Sequence, residues 1–380
     1  MIYNSHMQRS QKSKILNDLK KKLVFIVGPR QVGKTWLSKE IMKEYKTPLY
    51  FSYDSIKDRN IIKNESWGED TDLIVLDEIH KMRDWKNYLK GVYDTKNSNL
   101  HILVTGSARL DVFKNAGDSM AGRYRTHHLL PIDYKEVFYS KLEKKININK
   151  LMERGGFPEP LLSVSENDRR VWRNLYNDSL IKEDVLSIKS IENINAIRHV
   201  FDLLRYKVGS PISYKSIAED IGISPVTVKS YIAILEALYV IFIIKPYSKK
   251  IKRSILKEPK VYFYDNGLVI GEEGIQFENM LAISLQKYAH NTSDETGIKT
   301  KIYTLRNKQR NEIDFLIVKD DLPYLAIEAK LSDDKYSDNL KYFKDNYNID
   351  GVQVVKNLKH NSTIKGYGKV EKAEDFLKSL

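Results

Sequence analysis

A five-residue apolar run followed by a glycine-flanked basic loop constrains this chain more than any other stretch. Leu23–Val27 predicts a buried strand, and the next eight residues, 28–35, match the pattern G-x-x-x-x-G-K-[ST] at every fixed position. Gly28 and Gly33 let the backbone curl tightly, so that successive N–H groups can point inward at phosphate oxygens. A helical pattern follows, and its positive N-terminal end would meet those phosphates. The sequence therefore predicts a triphosphate site between this strand and this helix.

The loop also supplies side chains for a nucleotide and its metal ion. Lys34 would reach the β- and γ-phosphates, and the Thr35 hydroxyl would complete the shell of a Mg²⁺ ion. A chance match in a glycine turn is the alternative, but the strand before the loop and the helix after it are the context that this motif requires. We therefore expect ATP and Mg²⁺ as cofactors. The nucleotide would contact the whole loop, which consists of Gly28, Pro29, Arg30, Gln31, Val32, Gly33, Lys34 and Thr35.

An acidic pair ends a second apolar run downstream of the loop. Residues 72–78 predict a strand that finishes in Asp77 and Glu78. Asp77 would hold the Mg²⁺ ion through its water shell, and Glu78 would polarise the attacking water. Acid pairs also end strands as ordinary turn residues, but the phosphate loop upstream favours a hydrolytic role for this pair.

A third polar segment follows the strand predicted at residues 100–104. In phosphate-loop ATPases with an extra strand between the two motif strands, a polar residue here contacts the γ-phosphate or the attacking water. Thr105 and Ser107 are the candidates for that contact, and a plain turn is the alternative.

Composition narrows the class of protein. A length of 380 residues suggests two or three domains, and the absence of cysteine excludes disulfides and thiolate metal sites. No apolar run approaches the roughly 20 residues of a membrane span, and the N-terminus lacks a signal-peptide core. We expect a soluble cytoplasmic protein with no membrane partner. The formal net charge of +13 indicates either an anionic partner, most simply nucleic acid, or a lysine-rich solvated surface.

Short motifs over most of the chain resemble those of one prokaryotic ATPase family in the AAA+ superfamily. The resemblance extends from about Leu16 to Val355. It implies an ASCE-type core with strand order 5-1-4-3-2, a small helical lid, a C-terminal domain long described only as being of unknown function, and a homo-oligomer. The motifs that carry it are residues 76–82 with Trp85 and Leu89, then 105–107, 121–123, 131–136 and 155–159.

Arg123 resembles the arginine that follows Ala-Gly in this family. An arginine at that place could stabilise developing phosphate charge, either in its own subunit or from a neighbouring one. Arg109 and Arg125 compete for this role, and a surface arginine is the alternative.

The middle of the chain predicts two helical segments. Residues 133–208 form a mostly helical lid or linker, and residues 209–265 form a winged helix-turn-helix. In the second segment Gly222 would turn the chain, Ser224 would cap the second helix and Pro225 would begin it.

This predicted winged helix has features of a DNA-binding module. Its second helix leaves polar side chains facing outward, and a stretch from Lys245 to Lys260 holds seven basic residues against one acid. These side chains would contact phosphates without reading the base sequence. The alternative is a packing module between domains. The predicted DNA-binding residues are Thr227, Lys229, Ser230, Lys249, Lys250, Lys252 and Arg253.

The last part of the chain predicts a second catalytic site, which lies on two paired strands. Alternation places Asp314 on one strand face, and it places Glu328 and Lys330 together on a face of the next strand. This is the pattern of PD-(D/E)XK nucleases. Asp314, Glu328 and the helical Glu278 would ligate Mg²⁺, and Lys330 would orient or deprotonate a water. A chance match is a strong alternative, because E-x-K on a strand is common and Ile313 stands where the motif has proline.

The sequence thus predicts an α/β protein with four parts. These are a P-loop ASCE/AAA+-type ATPase core with a parallel sheet at residues 1–132, the lid at 133–208, the winged helix-turn-helix at 209–265 and an α/β restriction-endonuclease-like domain at 266–380. The function expected is ATP hydrolysis coupled to DNA binding, with possible Mg²⁺-dependent cleavage. The alternatives are an ATP-dependent conformational switch that binds DNA or a protein without cleavage, and a role that involves no nucleic acid.

Overall fold

The computed structural model describes residues 7–106, 120–180, 193–248, 258–307 and 311–380. They form two compact units: Gln8–Leu130, and Pro131–Leu380 with Met7. The division falls two residues before the predicted end of the ATPase core at residue 132.

A parallel sheet forms the centre of the first unit. Its strands are β1 Leu23–Val27, β2 Pro48–Ser52, β3 Leu73–Asp77, β4 His101–Thr105 and β5 Tyr124–His128, and its helices are α1 Lys12–Leu19, α2 Lys34–Met42, α3 Ile56–Lys63 and α4 Trp85–Thr95. The strand order is β2-β3-β4-β1-β5 with every neighbouring pair parallel. The predicted parallel α/β core is confirmed, and the order matches the one that the family resemblance implied.

The parallel arrangement brings three polar segments to one edge of this sheet. The phosphate loop follows β1, Asp77 ends β3 and Thr105 ends β4. Asp77 and Thr105 are directly paired across the sheet, and Thr105 is also paired with Ile26 of β1. All five residues of β1 are buried, as expected for a central strand of a parallel sheet. The apolar strand patterns therefore determine where the polar ends meet.

The second unit begins with helices. They are α5 Tyr134–Tyr139, α6 Ile148–Arg154, α7 Pro158–Leu162, α8 Glu166–Ser179, α9 Ile194–Arg205, α10 Tyr214–Ile221 and α11 Pro225–Ala237. The last two have the ends that the sequence predicts. Gly222 ends α10 with a φ of 76°, and the Ser224 side chain caps α11 by accepting from the Thr227 N–H. Such a hydroxyl cap satisfies a backbone donor that the helix leaves unpaired.

An eight-stranded mixed sheet occupies the rest of the second unit. Its strands are β6 Ile241–Pro246, β7 Lys260–Phe263, β8 Thr300–Arg306, β9 Glu312–Lys319, β10 Leu322–Lys330, β11 Gly351–Val355, β12 Ser362–Ile364 and β13 Gly368–Lys372, with α12 Glu273–Thr296, α13 Asp338–Tyr347 and α14 Ala373–Ser379. The order is β12-β13-β11-β10-β9-β8-β6-β7. The second predicted catalytic site lies on β9 and β10, and these two strands are antiparallel neighbours.

The sheet crosses a boundary that the sequence predicts. The strands β6 and β7 fall in the predicted winged helix-turn-helix, yet β6 pairs in parallel with β8, through Lys245 with Tyr303 and Pro246 with Thr304. Residues 209–265 and 266–380 therefore share one sheet within one compact unit. This pairing joins strands far apart in sequence, so no local pattern could indicate it.

Candidate active site

The phosphate loop turns sharply between β1 and α2. Gly28 has a φ of 147° and Gly33 a φ of 101°, which side chains with a Cβ rarely adopt. A Cβ on Gly28 would lie 2.1 Å from the carbonyl oxygen of Leu129, so the position has no room for one. Arg9 supports the loop, because its Nη1 donates to the Val32 carbonyl at 3.1 Å. Sequence reasoning missed Arg9, since no local pattern links it to the loop.

Lys34 places a buried positive charge inside this loop. Its side chain begins α2, is 8% exposed, and donates from Nζ to the carbonyl oxygens of Gly28 at 2.9 Å and Pro29 at 2.6 Å. Both acceptors are backbone atoms of the loop itself. The ammonium is thus held among the loop's backbone groups, which is where a phosphate-binding loop needs its cation.

Asp77 connects three elements at the sheet edge. Its Oδ1 accepts a hydrogen bond from Thr105 Oγ1 at 2.5 Å, and its Oδ2 lies 3.4 Å from Thr35 Oγ1 in the first turn of α2. Tyr50 of β2 donates its hydroxyl hydrogen to the same Oδ2. The structure therefore brings the predicted metal residues Thr35 and Asp77 together. Sequence reasoning missed Tyr50, whose strand carries no motif.

Glu78 follows Asp77 in a left-handed backbone conformation, with a φ of 55°. Its N–H donates to the Thr105 carbonyl at 3.0 Å, and its Oε2 lies 3.4 Å from His80 Nε2 and 3.7 Å from Lys81 Nζ. Burial raises the pKa of Glu78, and the charge of Asp77 raises it further, whereas Lys81 lowers it. A carboxylate of raised basicity beside the metal residues is suited to accept a proton from water.

The structure places the other predicted polar residues differently. Ser107 and Arg109 lie outside the described residues. Thr105, the other candidate for the contact with the γ-phosphate or the attacking water, is fully buried and donates a hydrogen bond to Asp77. Its hydroxyl therefore holds the carboxylate of the acidic pair. Arg123 forms a two-point contact with Asp94 of α4, at 2.8 Å from Nε and 3.0 Å from Nη2. Its role in phosphate chemistry stays a prediction and requires release from Asp94.

The second unit contains a cluster of carboxylates around a lysine. Lys260 Nζ lies 2.8 Å from Glu312 Oε1, 3.8 Å from Glu278 Oε1 and 3.9 Å from Asp314 Oδ1. Tyr262 donates its hydroxyl hydrogen to Glu278 Oε1 at 2.7 Å. Burial alone would lower the pKa of Lys260, but the three carboxylates outweigh it and raise that pKa. Burial, with the charge of Asp314, raises the pKa of Glu278 to about 7.

The predicted catalytic lysine lies beside a different carboxylate. Lys330 Nζ is 2.8 Å from Glu328 Oε1, and Glu328 Oε2 accepts a hydrogen bond from Ser337 Oγ at 2.6 Å. Burial alone would lower the pKa of Lys330, but its hydrogen bond to Glu328 and the charge of Glu328 raise it overall, which favours the protonated form; its role toward a water stays a prediction. Within the described parts of the chain, no three His, Asp or Glu residues form a group suited to hold a metal ion.

The structure corrects the predicted surroundings of Lys260. The sequence places it at the end of the basic wing-like stretch, but in the structure it is 5% exposed and ion-paired on β7. Lys249, Lys250, Lys252 and Arg253 of that stretch lie outside the described residues. On α11, Lys229 and Ser230 are exposed, and Thr227 is half-buried with its Oγ1 2.8 Å from Ser224 Oγ.

Three family models match successive parts of this chain. Residues 20–138 match an AAA domain, residues 145–277 match a domain of unknown function (DUF8612), and residues 273–371 match another domain of unknown function (DUF4143). The first match covers most of the first unit, which we call the AAA domain. The two remaining matches agree with the second unit in extent and name no activity for it.

Two relatives that match most of the chain are uncharacterized proteins. An uncharacterized protein of Methanocaldococcus jannaschii is 25% identical over 379 residues, covering 89% of this chain and 83% of its own. An uncharacterized protein of Haemophilus influenzae is 24% identical, covering 74% of this chain and 75% of its own. Among solved structures, a Walker-type ATPase of Pyrococcus abyssi has a TM-score of 0.44 at 15% identity, covering 69% of this chain and 94% of its own.

The oxygen atoms of the AAA domain fit a magnesium ion with a nucleotide. Mg²⁺ prefers hard oxygen ligands, keeps several waters and is bound through one or two protein groups plus substrate phosphates. Thr35 and Asp77 provide two such groups with oxygens 3.4 Å apart, and Lys34, whose ammonium lies within the loop, directly precedes Thr35. In addition, no helix among the described residues is long and apolar enough to cross a membrane.

Proposed function

We propose that this protein hydrolyses ATP in its AAA domain. The observation that supports it most strongly is the junction at Asp77, where Thr35, Thr105 and Tyr50 converge on one carboxylate next to Glu78. Bound Mg²⁺ would supply charge neutralisation on the phosphates. Lys34 would bind the β- and γ-phosphates, Thr35 and Asp77 would hold the ion, and Glu78 would accept the proton of the attacking water.

Hydrolysis is tested by separating nucleotide binding from turnover. Lys34→Ala removes the loop cation and should abolish both. Glu78→Gln should keep ATP binding and lower turnover at least about 100-fold, as expected when a general base is removed. Glu44→Gln is the matched control, because Glu44 lies on the surface of the same unit and pairs with Lys12. Phosphate release and binding of a fluorescent ATP analogue are the two measurements. Turnover by Glu78→Gln at the parent rate would refute the assignment of the base.

We propose nucleic acid as the partner of the second unit. The exposed side chains of Lys229 and Ser230 lie on α11, after the capped turn at Gly222 and Ser224, in a chain of net charge +13. Phosphate contacts of this kind bind DNA without base readout. We therefore propose that ATP hydrolysis changes the conformation of a DNA-bound protein, and not that the protein cuts DNA, since a lysine occupies the carboxylate cluster.

Salt dependence tests the DNA proposal. The dissociation constant for a DNA duplex should rise steeply between 50 and 200 mM salt. Lys229→Ala should reduce the slope of log affinity against log salt by about one. Lys335→Ala is the control, because Lys335 is likewise exposed but belongs to the segment between β10 and α13 instead of α11. An affinity independent of salt would contradict a phosphate-binding surface and favour a protein partner.

A homo-oligomer would allow Arg123 to act on a neighbouring active site. Mixing tests this, because an Arg123→Ala chain keeps Glu78 and a Glu78→Gln chain keeps Arg123. If the arginine acts between subunits, the mixture should hydrolyse ATP faster than either variant alone. Light scattering measures the subunit number. A monomer, or a mixture no faster than the sum of its parts, would limit Arg123 to its own subunit or to its contact with Asp94.

A further inference from the structure

A lysine ammonium lies inside the carboxylate cluster of the second unit. Lys260 comes from β7, Glu278 from α12, and Glu312 and Asp314 from β9, and each carboxylate has an oxygen within 3.9 Å of Nζ. The lysine side chain is 6% exposed. A charge this well buried is normally balanced by partners, and three separate elements supply them here.

The same cluster contains two of the three carboxylates that the sequence predicts as metal ligands. Glu278 and Asp314 would have to turn toward a divalent ion, but both already face Lys260 Nζ, at 3.8 and 3.9 Å. An ammonium and a metal ion at the same place would repel each other strongly in a buried site. The predicted ligand set therefore does not fit a metal ion while Lys260 stays charged.

The remaining contacts satisfy the carboxylates without a metal ion. Glu278 Oε1 accepts from the Tyr262 hydroxyl, and Asp314 Oδ2 accepts from the Ala329 N–H at 3.0 Å. The third predicted ligand, Glu328, is held by Lys330 and by Ser337. Each of these carboxylates thus has its own hydrogen-bond donor or cation in the protein.

We propose that Lys260 is the built-in cation of this cluster and takes the place of a divalent metal ion. The cluster then joins β7, α12 and β9 as an ion-paired core instead of forming a metal-dependent nuclease centre. This inference concerns the second unit and does not depend on ATP hydrolysis by the AAA domain.

Manganese binding tests the proposal directly. All chains carry Asp77→Asn, which removes the metal ligand of the AAA domain, and no nucleotide is added. Free Mn²⁺ is followed by electron paramagnetic resonance during titration. Lys260→Met removes the cation and keeps the length of the side chain. Lys330→Met is the matched control, because it removes a neighbouring lysine and leaves Lys260 in place.

The parent chain should show no Mn²⁺ site that depends on Asp314. The Lys260→Met chain should gain one site per chain, at least tenfold tighter than any residual Mn²⁺ binding by the parent, and lose it when Asp314→Asn is added. Its melting temperature should fall and recover on addition of Mn²⁺, whereas Lys260→Arg and Lys330→Met should gain no site.

Two results would overturn the proposal. One is a Mn²⁺ site in the parent chain that disappears in Asp314→Asn, or plasmid nicking with the same dependence. The other is a folded Lys260→Met chain with parental stability and no gain in Mn²⁺ binding. If Lys260→Met does not fold, the comparison of the parent with Asp314→Asn still decides, because it leaves Lys260 in place. If the chain with Asp77 intact does not hydrolyse ATP, this result contradicts the proposed function and leaves the present inference untouched.

Discussion

At the residue scale, the acidic end of β3 depends on a tyrosine that no motif includes. Tyr50 donates its hydroxyl hydrogen to Asp77 Oδ2, and burial raises the pKa of Tyr50 well above its usual value, so the hydroxyl remains a donor. The donated bond orients the carboxylate next to Thr35. Groups that orient a ligating side chain typically change metal affinity by about 10–100-fold when they are removed.

Tyr50→Phe should therefore weaken the use of magnesium more than it weakens the fold. We expect the Mg²⁺ concentration for half-maximal ATP turnover to rise about tenfold. Tyr53→Phe is the control, because Tyr53 directly follows β2 and packs against the core of the first unit, and it should leave the Mg²⁺ requirement unchanged. Equal Mg²⁺ requirements in parent and Tyr50→Phe would show that the hydroxyl does not orient a metal ligand.

The pKa of Glu78 makes a second prediction at this scale. A base must be deprotonated, so ATP turnover should fall as the pH drops through the raised pKa of Glu78. Lys81 lowers that pKa from 3.7 Å. Lys81→Met should therefore raise it and move the acid limb of the kcat profile to higher pH by about one unit. Lys86→Met on α4 should leave the limb in place, and an unmoved limb in Lys81→Met would exclude Glu78 as the titrating base.

At the element scale, the phosphate loop requires a residue without a side chain. Gly28→Ala would place a Cβ 2.1 Å from the Leu129 carbonyl oxygen at a φ of 147°, so the turn between β1 and α2 must shift. We expect loss of ATP binding. Gly91→Ala is the matched control in α4, where an added Cβ has nothing within 4 Å. Alanine there should stabilise the helix by about 0.5–1 kcal/mol in thermal or urea unfolding. ATP binding by Gly28→Ala at the parental affinity would contradict this geometry.

The long helix α12 makes two buried charge contacts along its length. Lys287 is 1% exposed, and its Nζ lies 2.6 Å from Glu136 Oε2, 3.4 Å from Asp133 Oδ2 and 3.1 Å from the Pro131 carbonyl oxygen. Glu278 lies nine residues earlier on the same helix, about 13 Å along its axis. The helix thus connects the first residues of the second unit with the carboxylate cluster.

Lys287→Met should destabilise the second unit because it leaves Glu136 buried without its cation. The expected loss is about 3–5 kcal/mol in urea unfolding. The double variant Lys287→Met with Glu136→Gln should recover part of that loss. A single variant within about 0.5 kcal/mol of the parent would show that this buried pair contributes little.

How far the sequence predicts the structure depends on the range of the contacts. The phosphate loop, Asp77 and the caps at Gly222 and Ser224 follow from neighbouring residues, and the structure places them in the expected elements. The sequence predicts that Glu78 ends the strand, but β3 ends at Asp77 and Glu78 has a left-handed backbone. The surroundings of Lys260 do not follow from neighbouring residues. They depend on the folding of β7, α12 and β9 around one point, and the sequence instead grouped this lysine with an exposed basic stretch.

At the scale of the whole molecule, the chain divides into two compact units with different candidate sites. The AAA domain contains the phosphate loop and the acidic pair, and the second unit contains the mixed sheet with its lysine-centred cluster. We propose that the first unit hydrolyses ATP. The proposed DNA contact would then determine what hydrolysis acts on.

The nucleotide recovered after incubation with ATP and Mg²⁺ tests this claim most directly. Desalting separates the protein with its bound nucleotide from the released nucleotide and phosphate. The protein fraction is then denatured, and the nucleotide in both fractions is identified by chromatography. We expect ADP and phosphate from the parent chain and from Glu44→Gln, and bound, unhydrolysed ATP from Glu78→Gln. Recovery of intact ATP from the parent, or of ADP in equal amount from Glu78→Gln, would contradict the account.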